Sequence, residues 1–161
     1  MADIKAKYGA TNQAITITIN SLTNDAKRES GAVDNSVNCF LDALVQVKIA
    51  TNTASDSTGD KSVYVYAYGS ADGGTGYSGN ASGSDAAFGT DPQQLTNCRL
   101  IGAVYAPTQN KVYRSDLLSV ASAFGGILPQ RWGIIVHNKT GQTLKSSDCS
   151  AAYQGLHAQS S

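Results

Sequence analysis

Residues 61–97 read KSVYVYAYGSADGGTGYSGNASGSDAAFGTDPQQLTN. The opening alternates with a period of two. Val63, Val65 and Ala67 fall on one face, and Tyr64, Tyr66 and Tyr68 on the other. Side chains on a strand point to alternate faces, so this is a β-strand with an aliphatic side and a tyrosine side. From Gly69 the composition changes to Gly, Ser, Ala, Asp and Asn. Such a segment carries too little apolar surface to offset its own ordering entropy. A strong strand running into it predicts an all-β scaffold that displays a long glycine-rich loop.

The same alternation recurs on both sides. In AITITIN, residues 14–20, Ile15, Ile17 and Ile19 share one face and Thr16 and Thr18 the other. In VNCFLDALVQVKIAT, residues 37–51, Leu41, Ala43, Val45, Val47 and Ile49 share a face, and the β-branched end favours strand over helix. The polar stretch TNTASDSTGD joins it to the 61–69 strand and predicts a hairpin. CRLIGAVYAP is apolar on both faces and closed by Pro107, the pattern of a buried strand, with Val112 and Tyr113 extending a hairpin from it. SDLLSVASAF predicts one short helix, with Ser115 as N-cap and Gly125 as stop. QRWGIIVHN is a strand with Trp132, Ile134 and Val136 on one side, followed by a hairpin-length turn at residues 138–141. The end of the chain pairs back briefly and frays.

The expected fold is therefore all-β: a single-domain β-sandwich or jelly roll of about six to eight strands, with a long Gly-rich loop and one short helix. Residues 1–12 form an N-terminal arm, 13–157 the sandwich with the Gly/Ser-rich loop at 68–97, and 158–161 a tail. Shortening the loop over residues 73–84 is expected to leave the fold intact, whereas Val65→Asp is expected to unfold it.

Composition narrows the function. Lys plus Arg number 12 and Asp plus Glu 12, without a basic run, which argues against a phosphate-seeking nucleic-acid surface. No stretch approaches the ~18 apolar residues of a membrane-spanning helix, and the N-terminus lacks a signal-peptide core, so manufacture in a cytoplasm is expected. Cys39, Cys98 and Cys149 make no disulfide framework or zinc pattern, and read as reduced core residues. His137 and His157 are the only histidines. His137 reads as a strand-end residue with a local hydrogen bond, and no nucleophile–base set or carboxylate pair is evident. SADGGTG is not a calcium loop, and GGTGYSGN lacks the Lys of a phosphate-binding loop. No catalytic residue, cofactor or metal is expected. The notable constellation is Tyr64, Tyr66 and Tyr68, with Tyr77 from the loop, as a candidate interface. Three readings stand for the tyrosine row: a second core face, a protein interface, or a sugar-stacking platform.

RLIGAVYAPTQNKVYRSDLLSVASAFGGILPQRWGIIVHNKTG, residues 99–141, resembles a pattern in small β-rich structural proteins of tailed-bacteriophage virions. There a tyrosine strand and a glycine-rich loop precede a Leu-Ile-Gly strand, a Ser-Val-Ala-Ser-Ala-Phe-Gly-Gly element and an Arg-Trp-Gly strand. The resemblance implies a non-enzymatic capsid cement or decoration protein made in the host cytoplasm. It would sit on the virion's outer shell, bind the major capsid protein and act as a homo-oligomer, a trimer being favoured. The alternatives are a carbohydrate-binding module of a tail or fibre, and a tail or neck subunit.

Overall fold

The computed structural model describes residues 3–160; Met1 and Ala2 of the expected arm and Ser161 of the expected tail lie outside it. Two antiparallel sheets pack face to face, as the alternation requires. In the first, β12 (Ser150–Ser160) and β5 (Asp42–Ala50) form the centre. Beside β12 lie β1 (Ile4–Tyr8) and β2 (Gln13–Ile15); beside β5 lie β9 (Val112–Arg114) and β10 (Leu118–Ser119). The amino-terminal segment thus supplies an edge, and β12 pairs with it as far as Ser160. In the second sheet the order is β7 (Ala86–Phe88), β3 (Lys27–Glu29), β11 (Arg131–Lys139), β6 (Ser62–Ser70) and β8 (Arg99–Tyr105), with β4 (Val33–Asp34) also on β11.

The aliphatic faces meet between the sheets. Val45, Val47 and Ile49 of β5 oppose a layer containing Val63 and Val65 of β6 and Trp132, Ile134 and Val136 of β11, all fully buried. Trp132 meets Tyr153 of β12 edge to face, with ring centroids 5.2 Å apart. A fully buried aliphatic or aromatic side chain contributes about 1.5–3 kcal/mol, so this layer dominates the stability.

Several local expectations are corrected. β5 and β6 are not a hairpin, because they lie in different sheets; the same holds for β8 with β9, and for β11 with β12. Each connection is an arch that carries the chain across the core. After residues 138–141 the chain bonds to Leu22 and Ser21 (Leu144 N–H to the Leu22 carbonyl and Ser21 N–H to the Lys145 carbonyl, both 3.0 Å) and makes the isolated bridge Thr51–Leu144 before it joins the first sheet as β12, its longest strand. AITITIN is ladder-paired only to Ile15, because the Thr18 N–H donates to the Asp85 carboxylate instead (3.0 Å); Ile15 and Ile19 still enter the core. The expected helix reduces to β10 and a single 3-10 turn, Ala121–Phe124. Ser115 does not cap it: its Oγ accepts from the Val47 N–H (2.9 Å) and locks β5. Asp42 holds the turn through the Ser119 hydroxyl (2.7 Å) and the Ala121 N–H (2.8 Å), and Gly125 ends it at φ +78°. Cys98 and Cys149 are buried as expected, but Cys39 is exposed.

The glycine-rich excursion is the largest correction. Instead of being displayed, it lies down on the second sheet. It leaves β6, crosses the outer face to add β7 at the far edge, and returns to β8, the neighbour of β6. Beneath it is a second small core of Tyr68, Ala81, Phe88, Cys98 and Ile135. Polar anchors order what its apolar content could not. Glu29, fully buried, accepts from the Ser82 N–H and hydroxyl (both 2.8 Å) and from Gln93 Nε2 (3.2 Å). Asp85 accepts from Arg28 Nε (2.6 Å) and from the Thr18 hydroxyl (2.6 Å). Gly83, at φ +73°, lies so close to the Tyr77 ring that a Cβ there would sit 2.6 Å from it.

Candidate interaction surface

The four sequence-selected tyrosines separate into two groups. Tyr68 is fully buried under the excursion, its hydroxyl donating to the Ser30 carbonyl (2.6 Å). Tyr77 comes down from the excursion and meets Tyr68 edge to face, centroids 5.4 Å apart. These two belong to the second core. Burial pushes the Tyr68 hydroxyl pKa well above its ordinary value and the Cys98 thiol up to about 11.

Tyr64 and Tyr66 lie below the edge of the cover and remain partly exposed. Burial, and then the neighbouring Tyr64, raise the pKa of Tyr66. The register with β8 sets Tyr64 opposite Ala103 and Tyr66 opposite Leu100, so all four share the outer face. Tyr105 lies on the same face, opposite Ser62. Leu100 and Tyr105 are 55% and 62% exposed. The result is an uncovered strip of two half-buried tyrosines, a leucine, an alanine and a third tyrosine. A shallow groove continues it past Leu95, Thr96 and Asn97. Leu100, Ala103 and Tyr105 do not stand out in the sequence, because CRLIGAVYAP is apolar on both faces and reads as a buried strand. In the fold β8 is an edge strand with only Val104 fully turned inward. Pro107 was the available signal, since proline in sheets is confined to edges and strand ends.

The carboxylate of Asp72, just past the Ser70 end of β6, is already engaged within the excursion. Asp72 accepts from the Ser70 hydroxyl (2.6 Å) and from the N–H groups of Thr75 (2.9 Å) and Gly76 (3.0 Å), which lower its pKa. A carboxylate surrounded by donors is organised as an anion, not as a cation ligand. Among the described residues no group of three or more His, Cys, Asp or Glu is placed to hold a metal ion.

His137, opposite Tyr64 on β11, has its Nε2 2.9 Å from Asp25 Oδ1, so its hydrogen bond is made to a residue 112 positions away and is not the local one expected. Lys139 Nζ shares that oxygen at 3.1 Å. Burial holds the imidazole below its ordinary 6.5, reinforced by Lys27 and Lys139 and opposed by Asp25. Asp25 is held at about 2, first by the hydrogen bond from His137 and then by Lys139. Both shifts have the same sign for stability. The unfolded chain binds a proton at His137 before the folded chain does, so stability is full above about pH 6.5 and declines as pH falls through that value. The Asp25 contribution persists to about pH 4 and is lost between there and about pH 2. The thermal midpoint is therefore expected to fall between pH 7 and pH 5, and His137→Asn to flatten that slope. An unchanged slope in the variant would assign the acid sensitivity to other groups.

Comparison with protein-family models, curated proteins and solved structures gives no match to this chain.

Proposed function

We propose that this chain is a non-enzymatic structural protein of a tailed-bacteriophage virion, a cement or decoration protein that binds the major capsid protein on the outer shell and stabilises it. The observation that carries this reading is the uncovered strip on the outer face of the second sheet: Tyr64, Tyr66, Leu100, Ala103 and Tyr105. Tyrosine is enriched at protein interfaces, and apolar patches on otherwise polar surfaces mark sites where a partner excludes water. The strip is rigid because the layer directly beneath it is the fully buried core, so docking costs little ordering entropy. The sequence resemblance supports the same reading.

The test is co-sedimentation of the purified chain with phage heads that lack it. Saturation at a fixed ratio is expected, with Tyr64→Ser plus Leu100→Ser weakening binding by tenfold or more. Leu117→Ser, at an equally exposed leucine on the outer face of the first sheet, is expected to leave it unchanged. Failure to bind heads, together with glycan binding that Tyr64→Ser abolishes, would replace this reading with the carbohydrate-binding module.

A further inference from the structure

Four sheet edges end this sandwich, and three are blunted in recognisable ways. On the first sheet, β1 alternates Lys5 and Lys7 along its five residues, and β2 has only three. The opposite edge consists of β9 and β10, three and two residues long. On the second sheet, β7 has three residues. Lysines and short strands are the usual protection of an edge against pairing with another chain. β8 has neither. It has seven residues, RLIGAVY, with its one charge at the first of them, and no charged residue follows until Lys111. Its ladder is entirely with β6, and among the described residues no strand pairs its other side.

The direction of its free backbone groups follows from the register. The Ala106 N–H donates to the Lys61 carbonyl (2.7 Å), so the bonded pairs with β6 alternate from there through Val104 and Gly102. Ala103 and Tyr105 consequently turn their N–H and C=O outward. A bulge at Ile101 interrupts the upper end, and Pro107, without an N–H, closes the lower one.

We propose that β8 is a pairing edge for a second copy of this chain, joined antiparallel about a two-fold axis at Val104. Ala103 of one copy then faces Tyr105 of the other in two bonded pairs, giving four backbone hydrogen bonds. On the outer face each Tyr105 ring lies over the small Ala103 of the other copy, large against small. Charge decides for a second copy over a charged partner. The segment is neutral, so self-pairing sets no like charges opposite each other. The two Arg99 residues end up roughly 34 Å apart at ~3.4 Å per residue, far beyond the ~8 Å screening length. The same two-fold operation on β1 would bring lysines together. Closure by a two-fold also leaves no open edge to propagate. The pairing fuses the two second sheets into one and sets the two aromatic strips side by side. It predicts a dimeric unit, where the resemblance implies three-fold clusters, and it stands independently of the capsid reading.

The experiment is sedimentation velocity of the full chain over a wide concentration range. Twice the 16.7 kDa chain mass is expected at high concentration. Ala103→Pro deletes an outward donor without touching the β6 ladder, and should raise the dimer dissociation constant at least tenfold. Tyr105→Lys, which adds the protection that β1 has, should do the same, with circular dichroism confirming that either variant is folded. A parent that stays monomeric throughout overturns the proposal. So does a dimer unaffected by a folded variant, or a trimer. None of these outcomes bears on head binding, which is read separately.

Discussion

Excision of residues 73–84 is expected to unfold the domain under conditions where the intact chain is folded. The segment contributes Tyr77 and Ala81 to the second core and closes over Tyr68 and Ile135, both fully buried. Uncovering a large apolar side chain costs about 1.5–3 kcal/mol. The excision also removes Ser82, and with it the two closest donors to the buried Glu29 carboxyl group. A buried acceptor left without donors costs about 1–3 kcal/mol, and more if charged. Together these terms reach the roughly 5–15 kcal/mol that holds an ordinary domain together. Urea unfolding of the excised chain measures it, with an insertion between Gly125 and Gly126 as the comparison. Gly125, Gly126 and Ile127 all lie exposed in a turn, so that insertion should be tolerated. An excised chain as stable as the parent would show that the excursion is dispensable, as its composition alone implied.

Val65→Asp is expected to be equally severe, and Tyr64→Asp nearly silent. Val65 is fully buried between Val136 and Gly102 on the inner face of the second sheet. A carboxylate there has no partner and costs several kcal/mol even after protonation relieves part of the charge. One residue earlier, Tyr64 points outward and is partly exposed, so its substitution should change stability by about 1 kcal/mol or less. Chemical denaturation of the pair measures the alternation directly. Comparable losses in both variants would mean that the two faces of β6 are not distinguished as described.

The period-two patterns of β5, β6 and β11 depend only on which residues are apolar, and they correctly gave an all-β chain with two buried faces. They could not give partners. A hairpin and an arch demand the same alternation, because either way each strand turns one face to the core; sheet membership emerges only when all the strands compete for the same interior. The tyrosine row was equally visible, and the identity of its buried member was not. Tyr68 is core and Tyr64 is surface because the excursion covers one and stops short of the other. That cover is held by Glu29 and Asp85, whose partners lie 53 and 57 or more residues away in the chain. Sequence by itself determined the strands β5, β6, β8 and β11, the inner faces of β5, β6 and β11, and the all-β class, since those follow from the spacing of neighbours a few residues apart. Only the tertiary structure decided which strands pair, that the glycine-rich segment is a layer and not a display loop, and that β8 is an edge. Those outcomes rest on contacts between residues far apart in the chain, which leave no periodic trace in it.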